Sequence, residues 1–244
     1  MLDLHCHILP ATDDGPQTLE ESLQMARLAR EDGITDIIAT PHHHRFLRLY
    51  RSEILPRVAS LNAELQRAGI AVLVWPGSEI QVSDLELYRA DYDAGKLCHL
   101  GDRRDFSLWE WPWDERMHPE AEREHIGWLL ERGTRPIVAH PERHAFFRDD
   151  LARLDALVEA GAWLQITAGS LLGHHGVDPQ TGGEAMMRRY REVVLATDSH
   201  NLKRRSGLSE AYARVEELVG RERADEVKAR AAAVLTGFSA PESV

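Results

Sequence analysis

The chain begins Met1-Leu-Asp-Leu-His-Cys-His7, and this stretch decides how the fold is interpreted. Successive side chains of a β-strand point to opposite faces, so His5 and His7 share one face and Cys6 lies on the other. Two imidazoles on one face form half of a metal site. The alternative is a pair of buried histidines that are hydrogen-bonded within a core.

Histidine and acidic residues recur at the ends of later strand-like runs. They stand in the segments Pro41-His42-His43-His44, Gly77-Ser78-Glu79, Leu108-Trp109-Glu110, Ala139-His140-Pro141 and Thr197-Asp198-Ser199-His200. The carboxyl ends of parallel barrel strands converge on one face, so these residues are expected to meet in space. The recurrence favours a multinuclear metal centre.

Strand-like runs alternate with helical runs along the whole chain. The strand-like runs are residues 2–8, 34–40, 70–75, 106–111, 135–139, 162–167 and 192–196. The helical runs are 18–30, 51–68, 83–94, 119–131, 151–160, 183–191, 209–219 and 224–235, of which 83–94 is short or irregular. This alternation predicts an α/β fold with a parallel sheet or barrel, and seven β-α units favour a barrel. Because no linker or shift of composition interrupts the pattern, we expect residues 1–244 to form a single domain.

The formal charge of −11 argues against a broad nucleic-acid surface, which needs a basic footprint. No apolar run is long enough to cross a membrane, and no secretory leader is recognisable. The two cysteines do not suggest a disulfide framework. A cytoplasmic location is therefore expected. The charge itself is explained by an ordinary acidic surface, to which clustered metal-binding carboxylates would add.

Several candidate ligands have a second interpretation. Asp14, in Asp13-Asp-Gly-Pro16, is either a ligand or an ordinary turn acid. Of the three consecutive histidines, His42 stands where the strand ends and is the chosen ligand, whereas His43 and His44 are expected at the mouth of the site. Glu79 is the candidate for bridging two metals. Glu110 is either a ligand or a surface residue of an edge strand.

Two arginines follow the candidate ligands closely. Arg143 and Arg205 could reach back to the site, where a planar guanidinium fits phosphate oxygens; each could equally be a solvated surface group. The remaining histidines are expected to be surface residues, of which the last two could lie near the mouth: His99, His118, His125, His174 and His175.

A competing phosphatase motif is present. Cys98-His-Leu-Gly-Asp-Arg-Arg104 matches the Cys-x5-Arg pattern of cysteine-dependent phosphatases. In such loops backbone amides wrap the phosphate and positive surroundings lower the thiol pKa. Here Asp102 would intrude on the anion, and the segment precedes a strand rather than joining a strand to a helix. The metal centre is therefore the favoured site.

The motifs together resemble the PHP (polymerase and histidinol phosphatase) superfamily. Within it the chain is most similar to the bacterial metal-dependent tyrosine phosphatases of capsule and exopolysaccharide gene clusters, the CpsB/YwqE type. The segments that carry the resemblance are Asp3-Leu-His-Cys-His7, Asp13-Asp-Gly-Pro16, Ala39-Thr-Pro-His-His43, Gly77-Ser-Glu-Ile80, Trp109-Glu110, Ala139-His-Pro-Glu-Arg143, Thr167-Ala-Gly-Ser-Leu-Leu-Gly173 and Ala196-Thr-Asp-Ser-His-Asn201.

The resemblance implies a distorted (β/α)7 barrel with three divalent metals, manganese first and Fe, Zn, Co or Mg as alternatives. It implies one metal held by His5, His7, Glu79 and Asp198, a second by Glu79, Glu110 and His140, and a third by Asp14, His42 and His200. It also implies that Arg143 and Arg205 bind phosphate. One segment departs from the family pattern: Lys203-Arg-Arg-Ser-Gly207 stands where Gly-Arg-Pro-Pro is usual, so Arg204 is a second candidate.

The activity implied is hydrolysis of phosphotyrosine by a metal-activated hydroxide, in the regulation of exopolysaccharide or capsule synthesis. The implied substrate is the tyrosine-rich tail of a bacterial tyrosine kinase, while the oligomeric state stays open. The aromatic segment Trp109-Glu-Trp-Pro-Trp113 is expected to shape a pocket for a ring. The alternatives are a small-molecule phosphomonoesterase, such as one for histidinol phosphate, a phosphodiesterase, and a regulatory pseudoenzyme.

Overall fold

The structure, a computed structural model, describes residues 1–113 and 119–236. Its strands are β1 (Leu2–Cys6), β2 (Asp36–Ala39), β3 (His42–His43), β4 (Leu73–Pro76), β5 (Glu79–Gln81), β6 (Phe106–Glu110), β7 (Arg135–Ala139), β8 (Trp163–Thr167) and β9 (Val193–Ala196). Each of the seven predicted strand-like runs corresponds to one of these strands.

Helices connect the strands and cover the sheets. They are α1 (Leu19–Glu31), α2 (Arg51–Arg67), α3 (Leu85–Asp93), α4 (Pro119–Leu130), α5 (Ala145–Asp149), α6 (Leu151–Glu159), α7 (Ala168–Leu171), α8 (Val177–Arg189), α9 (Leu208–Val219) and α10 (Arg221–Thr236). The Thr18 side chain caps α1 by accepting a hydrogen bond from the Glu21 backbone N–H. In the described parts of the chain, no helix has the length and apolar character needed to span a membrane.

The strands form two parallel sheets. One has the order β1-β2-β4 and the other the order β3-β5-β6-β7-β8-β9. The two ends of this series also meet, because the His7 N–H donates to the Ser199 carbonyl at 2.9 Å and the Asp198 N–H donates to the His5 carbonyl at 2.9 Å. The fold is therefore the predicted α/β fold, a distorted barrel-like arrangement of seven parallel strand positions.

The distortion lies after the second and third predicted strands, where the short strands β3 and β5 follow β2 and β4. β2 and β3 are separated at Thr40-Pro41, and β4 and β5 at Gly77-Ser78. Proline lacks the N–H that a continuous ladder requires. At Gly77 the chain approaches its neighbour so closely that an added Cβ would lie 2.7 Å from the Ile38 Cγ2 atom. The break shifts β3 and β5 into the second sheet, where His42 pairs with Glu79.

The core fills both sides of the sheets. Every residue of β6 and of β8 is buried, as expected for parallel strands with covered faces. Trp109, in β6, and Trp111, directly after it, are fully buried in the larger of two apolar clusters. Their side chains therefore pack in the core, away from Glu110.

Some predictions about individual segments were wrong. His99 and His125 are buried rather than on the surface, and His125 accepts a hydrogen bond from Arg89 inside an aromatic cluster. The eighth helix begins at Val177, six residues before the predicted start, and the short α5 and α7 were not predicted. His174 and His175 are exposed, as predicted. His118 lies outside the described residues.

Candidate metal centre

The nine predicted ligand residues lie near or beyond the carboxyl ends of β1, β2, β4, β6, β7 and β9. His5 is in β1 and His7 directly follows it; His42 begins β3, Glu79 begins β5 and Glu110 ends β6. His140 follows β7, and Asp198 and His200 follow β9. Asp14 lies between β1 and α1. Residues that are far apart in the sequence therefore meet, as His5 and Asp198 do with His5 Nε2 3.2 Å from Asp198 Oδ1.

Four of these side chains direct electron-pair donors at one another. The Nε2 atoms of His5 and His7 are 3.2 Å apart. Glu79 Oε2 lies 3.5 and 3.4 Å from these two nitrogens, and Asp198 Oδ1 lies 3.2 and 3.5 Å from them. All four side chains are buried. The result is a compact, buried group of two nitrogens and two oxygens.

Oxygen acceptors behind the rings determine which imidazole nitrogens face this group. The Nδ1 atom of His5 donates to Gln165 Oε1 at 2.8 Å, and that of His7 donates to Asp13 Oδ2 at 2.7 Å. His200 Nδ1 donates in the same way to the Asp198 carbonyl at 2.9 Å. In a neutral ring the Nε2 lone pair is then free to bind a metal, the usual arrangement for metal-binding histidines.

Asp13 and Gln165 were not named as site residues from the sequence. Asp13 adjoins Asp14 in a segment that was already singled out, and Gln165 is a polar residue in the middle of a buried strand. Either signal could have identified them. Asp3 accepts hydrogen bonds from the Thr197 N–H at 2.9 Å and the Thr197 hydroxyl at 2.6 Å. It thereby anchors the loop that carries Asp198.

A divalent cation fits the group of four donors. Glu79 Oε2 and Asp198 Oδ1 are buried and have no hydrogen-bond partner among the described residues. With metal–ligand distances of about 2.0–2.1 Å, the donors of a tetrahedral site lie about 3.4 Å apart, which is the spacing seen here. Since buried polar atoms without partners are costly, a shared cation explains why four donors face one another.

A second group of donors adjoins the first. Asp14 Oδ1 lies 3.3 Å from Nε2 of both His42 and His200, and the ring of His7 stacks on that of His200 with centroids 3.9 Å apart. These four residues are close enough to share one ion.

Glu79 connects the first group to a third. Its Oε2 is 2.9 Å from His42 Nδ1, and its Oε1 is 2.9 Å from His140 Nε2. Glu110 Oε2 lies 4.0 Å from His42 Nδ1. The donors of Glu79, Glu110 and His42 form a further possible ion site, with His140 alongside. Glu79 therefore stands between several groups, as a bridging carboxylate would.

The charges of the site shift the pKa values of its groups strongly. Burial alone lowers the pKa of His5, but Glu79 and Asp198 outweigh it and raise this pKa above its usual value. Burial raises the pKa of Glu110 to about 7, and the neighbouring Glu79 charge adds to the rise. Burial also opposes the charge on Asp198, yet His5 and His7 hold its pKa well below the usual range. Positive charge is thus required among these carboxylates, whether protons or cations supply it.

Two of the candidate ligands have unusual backbone geometry. His140 has φ 35° and Asp198 has φ 51°, both in the left-handed region that non-glycine residues rarely adopt. Such strain collects at functional sites, where the surrounding structure maintains it. Here the turn after β7 starts at His140 and brings Arg143 back toward the site.

The donor groups open into a cavity of about 420 Å³. Arg143 lines it and donates to Asp198, with Nη1 2.5 Å from Oδ2. Arg204 also lines it, and its Nη1 lies 3.0 Å from Asp14 Oδ2. Arg205, the predicted second arginine, instead lines a separate cavity beside α1. The Asn201 side chain accepts hydrogen bonds from the Lys203 and Arg204 N–H groups and tightens the turn. In this turn Arg204, rather than Arg205, faces the cavity.

The other predicted features divide between the cavity and the core. His44 lines the cavity, as expected at a mouth, whereas His43 is buried and donates through Nδ1 to the Leu49 carbonyl. Trp113 is the member of the tryptophan segment that lines the cavity. Trp109 and Trp111 belong to the core, so the expected aromatic pocket is reduced to one tryptophan.

The cysteine motif does not form a phosphate loop. Cys98 is buried, and burial raises its thiol pKa to about 12. Arg104 lies over the Tyr92 ring, with its guanidinium carbon 4.9 Å from the centroid. Asp102 is paired with Arg51, at 2.6 Å.

Comparison with known proteins identifies the family. The family described as "Capsular polysaccharide synthesis, CpsB/CapC" matches residues 1–236. The chain belongs to the CpsB/CapC family. Among its curated relatives, tyrosine-protein phosphatase YwqE of Bacillus subtilis is 36% identical over 211 residues, covering 84% of this chain and 80% of the relative. The putative tyrosine-protein phosphatase CapC of Staphylococcus aureus is 32% identical, covering 84% and 79%.

One solved structure agrees with this assignment to the CpsB/CapC family, and another shares only the fold. A structure from a study of YwqE from Bacillus subtilis and CpsB from Streptococcus pneumoniae, described as unique metal-dependent tyrosine phosphatases, matches with a TM-score of 0.91. It is 33% identical, and the match covers 98% of this chain and 96% of that one. An organophosphorus hydrolase from Deinococcus radiodurans, 13% identical with a TM-score of 0.56, shares the fold.

Proposed function

We propose that this protein is a metal-dependent phosphatase that hydrolyses phosphotyrosine. The observation that carries the proposal is the group of four facing donors on His5, His7, Glu79 and Asp198, which calls for a cation. The names of the family relatives, tyrosine-protein phosphatases, support the reaction. A complete set of donors argues against a regulatory pseudoenzyme, which would have no need to keep these charges buried together.

We assign three divalent ions to the site, with manganese as the first choice. His5, His7, Glu79 and Asp198 would hold one, Glu79, Glu110 and His140 a second, and Asp14, His42 and His200 the third. Mixed imidazole and carboxylate donors suit manganese, and also iron, zinc and cobalt. The position of His42 beside Glu79 suggests that it contributes to the second ion as well.

Bound divalent ions would supply two things: a water of lowered pKa for attack on phosphorus, and charge withdrawal from the phosphoryl oxygens. Arg143 and Arg204 would hold the remaining phosphoryl oxygens, since both guanidinium groups line the cavity. Arg143 is already paired with Asp198, so a phosphoryl group would share or displace that contact. Arg204 takes the role that the sequence first suggested for Arg205.

We further propose that the substrate is a tyrosine-phosphorylated protein, the tail of a bacterial tyrosine kinase, and that the reaction regulates capsule or exopolysaccharide synthesis. The family description supports the second part. We treat residues 1–244 as one catalytic domain. The cytoplasmic location expected from the sequence stays a prediction.

The decisive experiment combines metal removal with a panel of substrates. We expect hydrolysis of p-nitrophenyl phosphate and of a phosphotyrosine peptide to disappear with chelator and to return with added Mn²⁺. Chelator-insensitive turnover would contradict the metal mechanism. Histidinol phosphate and bis-p-nitrophenyl phosphate test the small-molecule phosphatase and phosphodiesterase alternatives, because preference for either would replace the proposed substrate.

Metal binding has a second readout that does not depend on activity. An ion that binds the folded protein raises the free energy of unfolding by RT ln(1 + [L]/Kd). We therefore expect Mn²⁺ to raise the melting temperature of the parent protein and to raise that of Glu79→Gln much less. Equal stabilisation of both proteins would remove Glu79 from the proposed ligand set.

A further inference from the structure

Two large aromatic side chains stand in water at the polar cavity. Phe46 is 82% exposed and Trp113 is 53% exposed. In the parts of the chain that the structure describes, the other exposed large apolar residues are Leu19, Leu73 and Val177. Phe46 and Trp113, unlike these, line the same cavity as the proposed metal donors. Contacts within the fold leave much of both rings exposed at one charged site, where an apolar group of a ligand would cover them.

Contacts below the ring hold Trp113 in place. It stacks on His144 with centroids 4.1 Å apart and planes inclined by 21°, and its Nε1 donates to Glu110 Oε1 at 3.2 Å. The guanidinium carbon of Arg143 lies 5.3 Å from the centroid of the indole. A phosphoryl group bound by Arg143 would therefore place its ester substituent within reach of this ring.

Phe46 is supported by residues outside the proposed ligand set. The guanidinium carbon of Arg45 lies 4.7 Å from its ring centroid, and the His44 ring meets it edge-on at 6.1 Å. The ring projects from the segment between β3 and α2. A substitution at Phe46 consequently removes an aromatic surface from the cavity without removing a contact to a donor residue.

We propose that Phe46 and Trp113 bind the aromatic ring of the phosphomonoester and so determine the preference for aryl over alkyl phosphates. The inference rests on the proposed phosphatase function and deepens it, because the donor groups would contact the phosphoryl group and would not distinguish the two classes of ester in binding. Aromatic rings prefer offset or edge-to-face contacts with one another. Each such contact adds to the binding free energy that comes from removing the apolar ring surface from water. The ring pair therefore supplies selectivity that the metal donors and arginines do not.

The test compares two phosphonates that differ in the substituent under study. Phenylphosphonate and methylphosphonate have a P–C bond that the enzyme does not hydrolyse, so their affinities report binding alone. Inhibition constants and calorimetry on the Mn²⁺-loaded protein give the ratio of the two affinities. We expect Phe46→Ala to lower that ratio about three- to tenfold, the range of single aromatic contacts, and Phe46→Tyr to restore it.

Trp113 needs two variants because its indole also contacts Glu110. Trp113→Phe keeps a ring and loses the hydrogen bond, whereas Trp113→Ala loses both. We expect Trp113→Ala to lower the phenyl-to-methyl ratio and Trp113→Phe to preserve most of it, even if both weaken Mn²⁺ binding. Val177→Ala, which removes an exposed apolar side chain far from the cavity lining, is the control and should leave the ratio unchanged.

The outcomes separate this inference from the proposed function. An unchanged ratio in both Phe46→Ala and Trp113→Ala overturns the aromatic selectivity, and the phosphatase proposal then survives on its own test. A parent protein that hydrolyses no phosphomonoester with any added metal overturns the proposed function instead. A parent protein that binds the two phosphonates equally also overturns the inference.

Discussion

Arg143 and Asp198 form a hydrogen-bonded ion pair, with Nη1 2.5 Å from Oδ2, at the point where the donor group opens into the cavity. The pair joins the guanidinium group that is proposed to bind phosphate to a carboxylate that is proposed to bind a metal. The other carboxylate oxygen of Asp198 faces His5 and His7. The Asp198 carboxylate thus contacts both the arginine and the two histidines of the proposed site.

The first prediction concerns Arg143 and Arg204, which line the cavity. Loss of a positioned donor to the phosphoryl group typically costs about 100-fold or more in kcat. We expect this for Arg143→Ala at saturating Mn²⁺, with Arg143→Lys in between because it keeps the charge and loses the planar fork. Arg204→Ala should also reduce kcat/KM for a phosphotyrosine peptide, while Arg205→Ala, outside the cavity, should not. The reverse order for the last two variants would restore the assignment first made from the sequence.

The second prediction concerns Asp13, which orients the ring of His7. With Asp13→Asn the ring loses its carboxylate acceptor, and the tautomer with the proton on Nε2, directed at the donor group, becomes favourable. We expect the affinity for Mn²⁺ to fall about 10- to 100-fold, as for other partners of metal-binding histidines. Calorimetric titration measures it, with the exposed Asp178→Asn as a control. Unchanged affinity would show that the hydrogen bond at 2.7 Å does not orient the ligand.

The third prediction concerns the cysteine motif. Because burial raises the pKa of Cys98 to about 12 and that of Cys6 also well above the usual value, neither thiol is ionised at neutral pH. We expect both to react with a thiol-specific disulfide reagent only when the protein unfolds, and Cys98→Ser to retain its phosphatase activity. Loss of activity in Cys98→Ser, with the fold and metal binding intact, would return the cysteine mechanism to consideration.

The fourth prediction concerns acid stability. Burial lowers the pKa of His125 to about 3 and that of His99 to about 4, whereas in the unfolded chain they titrate near the ordinary value of about 6.5. Below about pH 6.5 the unfolded chain binds protons that the folded protein does not, so the free energy of unfolding falls as the pH falls toward 4, by about 1.4 kcal/mol per pH unit for each histidine.

Urea unfolding between pH 6.5 and 4 measures this dependence. We expect His125→Gln to reduce the slope by the share of one histidine, since it removes the titrating group. The comparison with the parent protein cancels the opposing contributions of the site histidines, whose pKa values are raised. The exposed His174→Gln is the matched control. A slope unaltered by His125→Gln would mean that this ring is protonated in the folded protein.

Much of the fold followed from local patterns. The strand-like runs at 135–139 and 162–167 agree with β7 and β8 to within one residue, because buried parallel strands are short apolar runs bounded by turn residues. The break after the second and third runs, beyond which the short strands β3 and β5 begin, was not predicted. It depends on how closely Gly77 approaches Ile38, which is a contact between strands and has no signature in either segment alone.

Residue type and strand position sufficed to identify the nine candidate ligands, since a parallel barrel brings the carboxyl ends of its strands to one face whatever the loops do. Other features depended on contacts that only the folded chain makes. The turn around Asn201 decided that Arg204 rather than Arg205 lines the cavity. Packing buried His99 and His125 and left Phe46 and Trp113 in water. A periodic pattern determines which way a strand or helix faces, but where an irregular loop directs each side chain is settled by the long-range contacts that surround it.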